Sequence, residues 1–196
     1  MLFHPANSPI PEQLRGDGFL IRPIKPEDVQ LHYEAISASR DMLKKWSGGT
    51  WPTDDFTLES DIAELAQAKE WHDKGAAYTF GVFSEDESEL LGMVHVDSLM
   101  QELHIGQAEE DDLTTVMRFE GVVRFWVRPS FVERDFDRAL MHALVEWLDN
   151  EWNFQRVLYR INSTDLRQVE ILSGLGRRHL YVLDPPDRNG KHILHG

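Results

Sequence analysis

The residues with the clearest capacity for chemistry lie between Arg124 and Leu140. An aromatic and β-branched run ends at Arg128 and Pro129. A short charged turn follows, and an apolar-periodic helix then extends from Asp135 to about Asn150. A strand that delivers its backbone into a helix N-terminus is a ready anion site, because unpaired N–H groups and the helix dipole converge there. Phosphate is the usual guest. Two features oppose it here: the turn has no glycine, and Asp135 and Asp137 stand where the anion would arrive. At about 4 Å and an effective dielectric near ~20, one such like-charge pair costs about 4 kcal/mol before screening. Arg134 and Arg138 offset part of this, and Arg128 at the strand end is a further cation. From Glu133 to Arg138, however, the acids outnumber the arginines. Asp135 also suits a purely structural role as N-cap of the helix.

Elements on both sides must position this turn. Phe19 to Lys25 is a short strand with Pro23 near its end, hence a first or edge strand. Pro26, Glu27 and Asp28 open a helix with the stripe Val29, Tyr33 and Ile36. Gly48 and Gly49 break it, and Trp51 and Pro52 follow in a loop. A second helix runs from about Asp55 to Asp73 with the stripe Leu58, Ile62, Leu65 and Lys69, and Gly75 ends it. Tyr78–Phe83 and Leu90–Val96, separated by an acidic turn, read as a hairpin. Residues 101–115, with Glu102, Glu109, Glu110, Asp111 and Asp112, predict a solvent loop or mobile insertion, and a long strand over 116–127 follows. Beyond the helix at 135–150 come a strand at Arg156–Ile161, a short helix at Asp165–Ser173 stopped by Gly174, and strands at His179–Leu183 and Lys191–His195. Hairpins followed by a strand–helix–strand unit predict a mixed sheet. One domain over residues 19–196, preceded by an extended arm over 1–18, is expected.

A chain of 196 residues, 41% hydrophobic and 28% charged, can bury one substantial core. The absence of cysteine excludes disulfides, thiolate metal sites and thiol catalysis. A formal net charge of −14 disfavours nucleic acid and anionic membrane, and favours solubility and cationic partners. No apolar run approaches the ~20 residues that cross a bilayer. The first 18 residues lack a signal-peptide pattern, so a cytoplasmic location is expected. His192 and His195, three apart on a strand, face opposite sides, and no metal site is expected. Trp46, Trp51 and Trp71 fall around the first two helices, where they either pack a core or line an apolar or cation-binding pocket. Hydrolase, kinase and dehydrogenase motifs are missing.

Several segments, in order and spacing, resemble the GNAT superfamily of acyl-CoA N-acyltransferases over roughly residues 19–195. They are Phe19-Leu-Ile-Arg-Pro with Pro26-Glu-Asp-Val, Leu91-Gly-Met-Val-His-Val, Phe125-Trp-Val-Arg-Pro and Leu175-Gly after a short helix. The branch that acetylates ribosomal-protein N-termini and small amines is the most similar. The resemblance implies an α/β (α+β) fold with a mixed, mostly antiparallel sheet and helices on both faces. It also implies a splay between the fourth strand (116–127) and the fifth (156–161). Acetyl-CoA is the implied co-substrate. Its pantetheine would pair with backbone near Trp126, Val127 and Arg128, and its pyrophosphate would lie on a turn usually written Q/R-x-x-G-x-G/A. That turn aligns with Val132 to Asp137, so Val132 replaces the leading residue and both small positions are aspartates. The implied cofactor contacts are Arg134, Asp135, Phe136, Asp137 and Arg138. Asp165 and Gln168 are added at the family's Asn and Ser positions, and Arg177 stands where a Phe is usual.

Amine acetylation needs a base and a donor that polarises the thioester carbonyl. The donor would be the N–H of Val127 or its neighbour. Glu120 is the first candidate base and His95 the second; each has a plain alternative, as a solvent-facing carboxylate and a packing histidine. Leu172 occupies the place of the tyrosine that some members use as acid, which leaves Tyr181 or Tyr159. The implied acceptor is a small amine or a peptide N-terminus, with a homodimer left open. The alternative is a catalytically silent module of the same fold that binds a cationic peptide or partner subunit, for which the Asp135/Asp137 turn argues.

Overall fold

The computed structural model describes residues 10–49, 51–105, 110–152, 156–185 and 188–196. The first nine residues, Glu109 and the middle of the 184–190 turn lie outside them. The strands are β1 (Leu14–Gly16), β2 (Phe19–Pro23), β3 (Tyr78–Ser84), β4 (Leu90–Ser98), β5 (Gly121–Val127), β6 (Val157–Asn162), β7 (His179–Leu183) and β8 (His192–His195). They form one sheet in the order β1-β2-β3-β4-β5-β6-β8-β7. Every neighbouring pair is antiparallel except β5 with β6. The expected mixed, mostly antiparallel sheet is therefore present. The end of the expected N-terminal arm is part of it, because β1 pairs along β2.

Helices cover both faces. On one, α5 (Phe136–Asn150) presents Leu140, Leu144, Trp147 and Leu148 to Val94, Val123 and Phe125. Each of these side chains is essentially inaccessible, and full burial of one such group stabilises by about 2 kcal/mol. The helix α6 (Leu166–Gly174) adds Ile171 and Leu172 to the same core. On the other face, α1 (Val29–Ser47) and α2 (Leu58–Asp73) cover Met93 and Trp126. A short helix, α4 (Pro129–Val132), follows β5 directly.

Four expectations are corrected. The stretch 101–115 is not a plain solvent loop. It contains α3 (Leu99–Ile105) and a 3₁₀ turn at Glu110–Thr115, with Leu103 and Glu102 buried. The strand before the chemistry-bearing turn is shorter than 116–127, because Val116 packs beneath α3 and pairing starts at Gly121. The apolar stripe of α2 is also displaced. Leu58 and Ile62 are exposed, and the helix buries Asp61 and Leu65 instead. The reason is chemical: Asp61 accepts a 2.7 Å hydrogen bond from His32 Nδ1 of α1, so a hydrogen-bonded polar pair rather than an apolar row faces inward. At the end of α6, Gly174 is still helical. Leu175 is the cap and Gly176, at φ 77°, makes the left-handed turn.

Candidate active site

Strand β5 leaves β6 early. Their ladder spans three residue pairs, from Gly121/Val157 to Val123/Tyr159, after which β6 continues against β8 and β5 continues against β4. The Arg128 N–H donates to Leu91 O at 2.8 Å, which fixes the alternation of an antiparallel pair. Trp126 and Arg128 therefore spend their backbone groups on β4, whereas Phe125 and Val127 turn theirs towards the gap. Trp46 of α1 enters this gap and donates from Nε1 to Phe125 O at 2.8 Å. Asn162, at the end of β6, holds the far side by donating to Lys45 O (3.0 Å) and Asn189 O (3.2 Å).

The chain then enters the turn. Asp135 takes φ 63° and ψ 18°, a left-handed conformation that side chains with a Cβ seldom adopt and glycine adopts freely. The backbone is glycine-like although the residue is an aspartate. Asp135 occupies the N-cap position of α5, but its side chain makes no cap hydrogen bond. Its carboxylate pairs with Arg167 and with Arg138. Asp137, in the first turn of α5, is 2% exposed and is gripped bidentately by Arg167, Nε to Oδ2 at 2.6 Å and Nη2 to Oδ1 at 2.7 Å. Hydrogen bonding from Arg167 pulls the Asp135 carboxyl below its ordinary value, and the two aspartates raise Arg167. Arg167 brings the local acids and arginines into balance.

The other expected anion-site residues are dispersed. Arg128 pairs with Glu89 at 2.6 Å, away from the turn. Arg134 is exposed and lies over the Phe131 ring, while Phe136 packs edge-on against Phe19 and Phe131. Asp165 caps α6 by accepting from the Gln168 N–H at 3.1 Å, and Gln168 is buried. Burial raises the Asp165 carboxyl, and nearby Asp137 adds to the effect.

On the α1/α2 face of β4 and β5 lies a cavity of about 600 Å³. Trp46, Trp51, Trp71 and Trp126 line it, with His95 of β4 half-buried in the wall 6.2 Å from the Trp46 ring. Because Trp46 also reaches Phe125 O, gap and cavity meet at this residue. Burial holds His95 well below the usual imidazole value, and Arg124, His32 and Arg160 lower it further. Glu64 accepts from Trp51 Nε1 at 3.3 Å, and burial raises its carboxyl. In the lining, Arg124 pairs with Asp97 (2.9 Å), and Arg160 pairs with Glu102 (2.7 Å). Burial pushes Glu102 up, but Arg160 and Arg124 outweigh it and leave the carboxyl lowered.

Glu120 and Tyr181 are not brought to this cavity. Glu120 precedes β5, where its backbone bridges Leu99 and Arg156. It is seven residues from Val127, roughly 23 Å along the strand. Tyr181 packs beside the cluster of Val122, Leu158 and Leu194. Tyr159 is buried beneath α5 and α6, and burial raises its phenol. Arg167, Arg124, Arg160 and Glu64 were not anticipated. The available signal was an arginine at mid-strand in two otherwise apolar runs, since such a residue is seldom buried without a carboxylate.

Buried and half-buried histidines make stability depend on pH. His72, His95, His192 and His195 are all lowered, with burial the largest cause, and His192 falls to about 4. Between that value and the ordinary ~6.5 the unfolded chain binds more protons than the folded one, so stability falls as pH falls. His192 alone should cost about 2 kcal/mol between pH 7 and pH 5. Urea unfolding should show that loss, and His192→Gln should reduce it. A pH-independent midpoint would contradict the assignment.

A family model described as an acetyltransferase (GNAT) domain matches residues 19–178. No curated sequence matches the chain significantly. Among solved structures, the ribosomal-protein-S5-alanine acetyltransferase from Vibrio fischeri aligns with TM-score 0.68 and 18% identity, over 93% of this chain and 94% of that one. RimL, a ribosomal L7/L12 α-N-protein acetyltransferase in complex with coenzyme A, aligns with TM-score 0.69 and 10% identity, over 95% of both chains. Mycobacterium smegmatis RimJ in complex with CoA-disulfide aligns with TM-score 0.64 and 12% identity, over 90% of this chain and 80% of its own. At these identities the structural likeness establishes the fold.

Proposed function

The chain belongs to the GNAT acetyltransferase family, and from that premise we propose that it transfers an acetyl group from acetyl-CoA to a primary amine. The observation that carries this reading is the open edge of β5, which meets the aromatic cavity at Trp46 and His95. Bound acetyl-CoA supplies the activated acyl carbon. The Val127 N–H, turned into the gap, is aimed to polarise the thioester carbonyl. His95, neutral at pH 7 because its proton is lost well below the usual range, accepts the proton from the attacking amine. The N–C bond forms, the C–S bond breaks, and the thiolate is protonated as it leaves. The turn at Arg134–Arg138 with Arg167 receives the pyrophosphate. The relatives act on ribosomal proteins by their names, and a peptide N-terminus or a small amine is the corresponding acceptor here.

The test is direct. Acetyl-CoA with a panel of amines and N-terminal peptides should release free thiol and raise the melting temperature. If no amine releases thiol and acetyl-CoA produces neither a thermal shift nor calorimetric heat, the transferase reading falls. A second reading, a silent module of the same fold, is favoured by one observation: the Asp135–Arg167–Asp137 clamp occupies the turn where a pyrophosphate would lie.

A further inference from the structure

The cavity is not uniform in charge. Its aromatic end, near α2, holds Trp51, Trp71 and Glu64, and its other end holds Arg124, Arg160 and Arg188. Arg124 and Arg160 are matched by Asp97 and Glu102. Arg188, which reaches the wall from the β7–β8 connection, has no carboxylate within ion-pair distance among the described residues. Among the described residues its Nε is buried without a hydrogen-bond partner, as is the Nε2 of neighbouring His192. A buried guanidinium donor with nothing to donate to is costly, and a cation at a cavity wall is satisfied by an anion entering the cavity.

We infer that the acceptor is a primary amine that also carries a carboxylate, with Arg188 as the group that binds it. This rests on the transferase reading above and narrows its substrate. The field at this end has the right sign. His95 and His192 are both lowered in part by Arg124 and Arg160, and His192 by Arg188 as well. Burial is the larger cause of both lowered values, and the arginine potential that adds to it repels an ammonium and attracts a carboxylate. An acceptor held by its carboxylate would present a neutral, nucleophilic amine near His95. A purely cationic amine has no such anchor there. The carboxylate could be a free amino acid's own or the acidic side chain of a peptide N-terminus, and both have the same chemistry at Arg188.

Calorimetry with acetylated products separates these sources and needs no turnover. The probes are N-acetyl amino acids, their carboxamides, and N-acetyl dipeptide amides beginning with Asp, Glu, Asn or Gln. At least one carboxylate should bind about ten-fold more tightly than its uncharged counterpart, the scale of one charge-assisted hydrogen bond. Arg188→Gln should collapse that ratio towards one, and Arg188→Lys should retain part of it. Preference for α-carboxylates assigns the free amino acid; preference for Asp over Asn or Glu over Gln assigns the acidic peptide. Equal binding of carboxylate and carboxamide, absence of binding by every carboxylate, or a preference that survives Arg188→Gln overturns the proposal. Transfer to amines without carboxylate preference overturns it while leaving the transferase reading intact. Carboxylate binding without any thiol release has the opposite consequence.

Discussion

Replacing Arg167 with alanine should weaken acetyl-CoA binding by on the order of 100-fold and lower stability together. Both effects come from Asp137, which is 2% exposed and held by two Arg167 nitrogens. Without the guanidinium, a buried carboxylate loses its charged partner, at a cost of about 2 kcal/mol. The cradle also becomes net negative where two phosphates must sit, and each like-charge contact is worth a few kcal/mol before screening. Arg167 is itself 40% exposed, so the binding penalty should shrink as salt rises. Arg167→Lys keeps the charge but not the fork, and should recover binding only in part. Unchanged affinity would show that the clamp lies outside the cofactor path. The pair Asp135→Gly with Asp137→Gly separates the two readings of the chain. If the aspartates serve to place Arg167 in an enzyme, their removal should reduce turnover about ten-fold, a modest loss beside the 10²–10³ range of a direct transition-state donor. If they closed a disused site, removal should raise CoA affinity without producing activity.

His95→Gln should lower kcat by about 10²–10⁴-fold with little change in KM for acetyl-CoA, the range for loss of a positioned general base. The pH profile supplies the second readout. A base must be unprotonated to act, and His95 loses its proton well below 6.5 through burial and the nearby arginines. Activity should therefore be lost only as pH falls below that range, and the kcat profile at saturating acceptor should cross 6.5 without an inflection. An inflection between pH 6.5 and 7.5 that disappears in His95→Gln would mean that the site is wetter than its geometry indicates. Full activity in His95→Gln would remove this residue from the mechanism.

The sequence made the framework readable because period and order survive in it. The switch from the alternation of Phe125–Val127 to the 3.6-residue period of Phe136–Leu148 marks the strand, turn and helix. The hairpin at Tyr78–Val96 is equally plain. Most hidden features share one cause, long-range polar pairing. Arg167 lies 30 residues beyond Asp137, and nothing local links them. Glu102 sits in an acid-rich stretch that reads as solvated, yet Arg160, 58 residues away, draws it inside and a helix forms around it. Asp61 likewise turns α2 so that Ile62 faces solvent. The left-handed Asp135 was hidden for a different reason. Glycine is the usual sign of such a backbone, and here a clamp of ion pairs around the residue accompanies the conformation in its place.

A crystal of the protein grown with CoA addresses the central proposition, that the parted edge of β5 is a nucleotide thioester site despite its acidic rim. Pantetheine density should run beside Phe125 and Val127, and the pyrophosphate should rest on the backbone of residues 134–138 with Arg167 still engaged on Asp137. A gap closed by Trp46 alone at saturating CoA, with the ligand absent or bound elsewhere, would contradict it.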